Sequence, residues 1–431
     1  MSIHLNDVLF YAGGECLQKF GVPVWGMNRR QRVAPMFTRS GTVGPFTGRD
    51  GVLRAATADR IRADWLDTDA DGVFDTPTFV LELARTNLVG SDNFDAGWTS
   101  VGTPVVTASI ADPAGGTGAY RIADDAAGAA EGKVRTVTFT GDGVKSVVFV
   151  VREATMPASG VQSLQLYDVT ATTLRLVLAI SAWSSGTPTV AATTGTYLGK
   201  RYVGNGYWEI YGKPTSVTAA NTNQAEIYPA STAGETGSID VYRVNAYNDI
   251  HPGLSILDAS ETRALDTWYA NYLHVPQEMT GYVKIREGMY PTWDSDYRIL
   301  QIGNAGSTGK RLTVFRPSGG DLYSFEYHDG TSAYASTADV NPTFGSDIEI
   351  RLVWNSTGTT IIGVSKDAGT ETVGSTSSAP SAGMPTSFAD TRLYLNHPTG
   401  PGFAHFFAVK LVAGVRTMDE MRALFQYQAA A

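Results

Sequence analysis

Two successive series of short runs rich in β-branched and aromatic residues constrain this chain more than any other feature. The first holds VRTVTFTG, KSVVFVVRE, SLQLYDV, LRLVLAI, RYVGNGYWEIYGK, QAEIYP and SIDVYRVNAYN, bounded by Gly, Asp, Asn, Ser or Pro. Runs this short and closely spaced, with no amphipathic helix between them, predict an antiparallel jelly-roll sandwich and exclude an alternating α/β fold. His251-Pro252-Gly253 interrupts the pattern, and a second series follows, including TGYVKIRE, YRILQIG, RLTVFRP, DIEIRLVWN and HFFAVKLVAG. Tyr282, Lys284 and Arg286 alternate there with Val283 and Ile285, as a strand with one buried face requires. Near the end, Thr417-Met418-Asp419-Glu420 has capping-box spacing, and Met418, Met421, Leu424 and Phe425 form one helical stripe. The expected fold is mainly β: an extended N-terminal arm, two antiparallel β-sandwich domains and a short C-terminal helix.

At 431 residues the chain is too long for one ordinary core. Its 46 Gly and 19 Pro, with only 17% charged residues, fit turn-rich β structure and neither disorder nor a coiled coil. The expected divisions are an arm over 1–60, a linker over 61–87, a jelly roll over 88–252 and a second sandwich over 253–431. Residues 1–60 show neither period 2 nor period 3.6; Phe20, Val24, Trp25, Met36 and Phe37 stand isolated among Gly, Pro and Arg. Such a stretch becomes ordered only against another surface, so it reads as an anchor dispensable for the folding of the sandwiches.

The net charge of −9 argues against nonspecific nucleic-acid binding, which needs a basic face. Residues 1–60 nevertheless hold eight Lys or Arg against four acids. Arg29, Arg30 and Arg32 are the candidate anchoring residues toward an acidic partner surface. Cys16 stands alone, so no internal disulfide is expected. MSIHLND lacks a secretory pattern and no apolar run has bilayer length, so the expectation is cytosolic synthesis without membrane insertion.

Asp67-Thr68-Asp69-Ala70-Asp71-Gly72-Val73-Phe74-Asp75 is the sharpest chemical signal. Carboxylates at loop positions 1, 3, 5 and 9, with Gly at 6, suit a hard cation that takes six to eight oxygens. Asp67, Asp69, Asp71 and Asp75 are therefore candidate calcium ligands, although Thr78 stands where an EF-hand carries its last carboxylate. Trp293, in the loop-like MYPTWDSDYR with Tyr290 and Tyr297 nearby, is the candidate aromatic platform for a sugar ring. Asp347 and Glu349 share a strand face as glucanase acids do, but Arg351 follows where the last acid belongs, which favours cross-strand ion pairs. The six histidines form no metal-ligand pair, and neither HExxH nor GxSxG is present. The chain is accordingly read as nonenzymatic.

FTRSGTVGPFTGRDGVLRAATADRIR, FVLELARTNL and NFDAGW, spanning Phe37 to Trp98, resemble the N-terminal signature of tailed-bacteriophage virion proteins, tail-fibre-like or capsid-fibre-like. In these an Arg-Thr-Asn-Leu segment leads into a carbohydrate-binding-module-like jelly roll. GNGYWEIYG, AEIYP and SIDVYRVNAY resemble its later strands, and residues 260–425 look like a concanavalin A-like (laminin G-like) sandwich. The resemblance implies a virion structural protein, assembled in the host cytoplasm as a tail- or capsid-attached fibre or adhesin. Its implied partners are other virion proteins, further copies of itself in a trimer, and host-surface polysaccharide. The alternative is a capsid decoration (cement) protein clamping neighbouring subunits; a polysaccharide depolymerase is the weaker third reading.

A calcium-holding loop has a direct consequence. The melting temperature is expected to be higher with excess calcium than with EDTA, because a ligand bound only to the native state stabilises it by mass action. Equal melting temperatures would reduce the loop to an Asp-rich turn.

Overall fold

Strand Ser146–Thr155 shows how the first sandwich is made, since its first six residues are all buried. Val147, Phe149 and Val151 enter the core between two sheets, while Val150 packs on the opposite side with Leu53, Ala119, Val203 and Tyr207. A near-continuous apolar run is what a strand covered on both faces needs. The computed structural model describes residues 8–13, 24–25, 35–38, 46–54, 62–67, 73–74, 76–81, 84–126, 128–249, 258–263, 267–270, 278–287, 297–303, 311–317, 322–328, 333–341, 345–354, 360–376, 393–395 and 404–423.

One sheet of the first sandwich runs, edge to edge, Val105–Ile110, Ala119–Asp124, Gly237–Tyr247, Ser146–Thr155, Tyr207–Lys213, Thr196–Gly204. The other runs Thr187–Thr194, Thr173–Ser184, Gln162–Asp168, Asn223–Tyr228, Gly132–Val137, Thr99–Val101. All described ladders in both are antiparallel, and Phe94, Trp98, Leu164, Leu178, Ile210 and Ile227 fill the space between them. The expected jelly-roll-like sandwich is present, with Trp98 and Trp208 in its core.

The second sandwich packs a sheet centred on Met279–Glu287, Asp347–Trp354 and Ala404–Ala413 against one centred on Arg311–Arg316 and Tyr297–Gly303. Val283, Ile285, Leu312, Phe325, Ile350 and Trp354 meet between them. Helix Met418–Ala423 follows the last strand. Its capping box forms as the spacing predicts: Glu420 N donates to Thr417 Oγ1 (3.2 Å), and Thr417 N donates to Glu420 Oε2 (2.8 Å).

The described parts of residues 1–60 do not lie outside the sandwiches, as the arm reading expects. Val8–Gly13 pairs antiparallel with Ala404–Ala413 over Val8↔Val412 to Gly13↔Ala408. Thr76–Leu81 pairs with the other end of the same strand, over Ala404↔Leu81 to Phe406↔Phe79. Pro35–Thr38 adds to Thr267–Ala270 in the facing sheet. The physical reason is the exposed ladder: an edge strand of ten residues presents unpaired N–H and C=O groups, and neighbouring chain satisfies them.

The same N-terminal segment also touches the first sandwich. Leu53 packs with Val203 and Tyr207, and Phe74 stacks on Tyr202 at 5.6 Å between ring centroids. Gly204 has φ +96, and a Cβ there would sit 2.1 Å from Gly51 O, so this close approach requires glycine. Farther along, Asn87 of the Arg-Thr-Asn-Leu segment is 1% exposed and fully engaged. Its Nδ2 donates to Val244 O and Asp258 O (both 3.2 Å), and its Oδ1 accepts from Val89 N (3.0 Å) and Ala246 N (3.1 Å). The Arg85 guanidinium lies 5.2 Å from the Tyr247 ring centroid, so the motif ties the entry of the first sandwich to the segment leaving it.

Deleting residues 1–40 uncovers half of the Ala404–Ala413 edge and all of one edge of Thr267–Ala270. The second sandwich is expected to melt roughly 5 °C or more lower by scanning calorimetry, with the first sandwich less affected. A truncated chain that melts like the full one would show that these pairings contribute nothing.

Candidate functional site

The sheet containing Gln162–Asp168 turns one face to the core and the other away from it. Two neighbouring strands, Ser-Leu-Gln-Leu-Tyr (163–167) and Gln-Ala-Glu-Ile-Tyr (224–228), place Leu164, Leu166, Ala225 and Ile227 inward. Period 2 then turns Ser163, Gln165, Tyr167, Gln224, Glu226 and Tyr228 outward. Register aligns them in rows: Ser163 opposite Tyr228, Gln165 opposite Glu226, Tyr167 opposite Gln224. The flanking ladders extend the first row through Ala179 and Ala191, and the second through Val134, Val177 and Thr194.

Gln165 and Glu226 therefore lie between the two tyrosines, and Ser163, Ala179 and Ala191 continue the row that ends in Tyr228. Ser163 and Glu226 are buried at 1% and 6% exposure, whereas Gln165, Tyr167, Gln224, Tyr228 and Ala179 are half-buried. The face is a shallow trough whose floor is shaded and whose rims meet solvent. Gln165 Nε2 donates to Ser163 Oγ at 2.7 Å, which fixes the amide and leaves its carbonyl directed to other donors. Burial pushes the Glu226 carboxyl up to about 7, with the Tyr228 hydroxyl bond opposing only in part. Burial and the Glu226 charge push the Tyr228 hydroxyl up to about 12. The trough thus offers tyrosine ring surface, two carboxamides, a hydroxyl and one carboxyl that gains a proton near neutrality. Such a set recognises a neutral, hydroxyl-rich ligand with an apolar face.

The sequence-derived candidates fall elsewhere. Tyr297 is not a surface contact: it is fully buried in the second core, because it opens strand Tyr297–Gly303 and its side chain packs inward with Ile299. Tyr290 and Trp293 lie outside the described residues, as do Arg29, Arg30 and Arg32. Of the calcium candidates, Asp67 is half-buried at the end of strand Arg62–Leu66, and Asp69, Asp71 and Asp75 lie outside the described residues. Among the described residues no cluster of three metal-ligating groups forms.

The acids weighed for hydrolysis are tied up in ion pairs, Asp347 across strands and Glu349 with helix Met418–Ala423. Asp347 accepts from Arg286 Nε (2.8 Å), Arg351 donates to Glu371 (2.8 Å), and Glu349 accepts from Arg422 Nε (2.8 Å) and from the Tyr282 hydroxyl (2.6 Å). The Arg422 guanidinium and Tyr282 hydroxyl hold the Glu349 carboxyl below its usual range against the opposing effect of burial. What the sequence reading passed over was the trough. Its signal is present in SLQLYDV and QAEIYP, two strands that share the order polar, apolar, polar, apolar, tyrosine.

No family model matches the chain, and no curated protein does. Among solved structures, the carbohydrate-binding module of the Ruminococcus gnavus IT-sialidase, bound to α2,3-sialyllactose, is similar at 11% identity. That match covers 34% of this chain and 82% of that one, with a TM-score of 0.27. The LG1-3 region of the laminin α2 chain is similar at 12% identity, over 64% of this chain and 63% of that one, with a TM-score of 0.26. Domains LG4-5 of the mouse laminin α1 chain are similar at 11% identity, over 77% and 92%, with a TM-score of 0.24.

The Glu226 shift has a sign that can be measured. A carboxyl raised in the folded state supports folding fully below its unfolded value of 4.5, and that support is lost as pH rises toward about 7. Glu226→Gln is therefore expected to match the native chain in melting temperature near pH 4.5 and to exceed it above pH 7. A pH-independent difference between the two would place Glu226 in solvent.

Proposed function

We propose that this chain is a glycan-binding adhesin and that the trough on the first sandwich is its ligand site. The observation that carries the reading is the placement of Tyr167 and Tyr228 on either side of the Gln165–Glu226 row, with Ser163, Ala179 and Gln224 beside them. Tyrosine rings stack the apolar face of a pyranose, and carboxamides answer its hydroxyls with both donors and acceptors. Hydrolysis of a glycosidic bond needs two carboxyl groups across the scissile bond. Among the described residues aligned on this face Glu226 is the lone carboxyl, which favours binding over cleavage.

The sequence of Phe37 to Trp98 supports placing the adhesin on a phage particle, as a tail- or capsid-attached fibre that meets host-surface polysaccharide. Self-association into a trimer and calcium in the Asp67 to Asp75 loop belong to the same proposal. A cement role would need both sandwiches, the trough included, to be covered by neighbouring subunits.

Titration of the full chain with purified host-surface polysaccharides tests the site. Tyr228→Ala and Tyr167→Ala are each expected to weaken binding about tenfold or more with the fold retained by circular dichroism, since one stacked ring contributes on the order of 1.4 kcal/mol. Binding that survives both substitutions would move the site elsewhere, and a chain that retains no polysaccharide would end the adhesin reading.

A further inference from the structure

On the opposite face of the first sandwich, three buried ionisable side chains meet a fourth, Arg201, whose side chain is 15% exposed. Arg201 and Glu209 come from the first, on strands Thr196–Gly204 and Tyr207–Lys213. Asp64 and His405 come from the second, on strands Arg62–Leu66 and Ala404–Ala413. Asp64, Glu209 and His405 are 3%, 1% and 1% exposed. His405 Nε2 donates to Asp64 Oδ2 at 2.8 Å, and Arg201 Nη1 reaches the same oxygen at 3.3 Å. Thr47 N donates to Asp64 Oδ1 at 2.6 Å. Arg201 Nε donates to Glu209 Oε2 at 2.6 Å, and the Tyr211 hydroxyl donates to that oxygen as well.

The cluster pairs two carboxyls with one guanidinium. If Asp64 and Arg201 are both charged, the site is neutral only while one proton is held between Glu209 and His405. Two protons leave a buried positive charge and none leaves a buried negative one, and either is expensive away from water. Burial drives Glu209 toward its protonated form and His405 toward its neutral form, while Arg201 stays a firm cation. Burial opposes the charge on Asp64, but the His405 bond and Arg201 hold it ionised. Tyr211 and Arg286 also bear on the site. Arg286 lies opposite His405 in the ladder and is itself paired with Asp347 at 2.8 Å.

We propose that this cluster is a proton-operated latch: the two sandwiches stay docked while it holds a single titratable proton, and gain or loss of that proton releases the joint. The titration is shared, so its two limits belong to the cluster as a whole. The acid limb comes from His405, whose lowered proton affinity supports docking above its ordinary value of 6.5, support that is lost as pH falls. The alkaline limb comes from Glu209, whose raised affinity supports docking at low pH, support that is lost as pH rises through its folded-state value.

Small-angle scattering of the full chain between about pH 5 and about pH 9.5, with circular dichroism at each point, tests the latch. The expected result is compact dimensions in the middle of the range and larger ones toward both ends, with strand content unchanged. Glu209→Gln is expected to abolish the alkaline expansion and keep the acid one, and His405→Gln to do the reverse. A native chain of constant dimensions overturns the proposal, whatever the variants do. So does an expansion that coincides with loss of strand content, or one that keeps both limbs in both variants.

Discussion

The outer edge of strand Ala404–Ala413 is the constraint on which the second sandwich depends. Its backbone groups have to be paired or solvated, and two separate stretches of the N-terminal segment share the task. Once Thr76–Leu81 is fixed there, Arg62–Leu66 pairs with it in turn and carries Asp64 to His405. The hairpin around Phe46–Thr47 and Leu53–Arg54 then reaches the first sandwich through Leu53. Strand pairing in one domain thereby determines where charges meet between the two.

Those charges make the joint unlike either core. Val283 and Ile350, or Leu164 and Ile227, gain from burial wherever complementary apolar volume surrounds them. Asp64, Arg201, Glu209 and His405 tolerate burial only together, because losing one partner strands another. The first sandwich thus uses its two outer faces in opposite ways. One is sealed against the second sandwich by ion pairs and rings; the other keeps a shaded floor and wet rims.

Period and composition revealed what local interactions determine. The strand runs, the cores around Trp98, Trp208 and Trp354, the capping box at Thr417 and the shared face of Asp347, Glu349 and Arg351 follow from neighbours in sequence or from alternation on one strand, whereas the Arg422 partner of Glu349 comes from helix Met418–Ala423. The strands at Val8–Gly13 and Pro35–Thr38 are too short to show a period, and their partners lie hundreds of residues away, so nothing local announces them. Tyr297 misled because a tyrosine beside a loop-like stretch looks exposed until the register of its strand is known. The trough needed that register too: the alternation of SLQLYDV and QAEIYP is visible, but only their adjacency turns two amphipathic strands into one surface.

The ladder between Val8–Gly13 and Ala404–Ala413 pairs stretches far apart along the chain, Val8 against Val412. Synthesis makes one partner ahead of the first sandwich and the other well after it. Contacts of such separation form late, since a large loop must close before they give anything back. The first sandwich, whose described strands all lie between Thr99 and Tyr247, can assemble during synthesis, while the opening residues wait without a partner. Closure of the second sandwich therefore waits until Ala404–Ala413 has been made, and chaperones that shield unpaired strands would act on Val8–Gly13 until then.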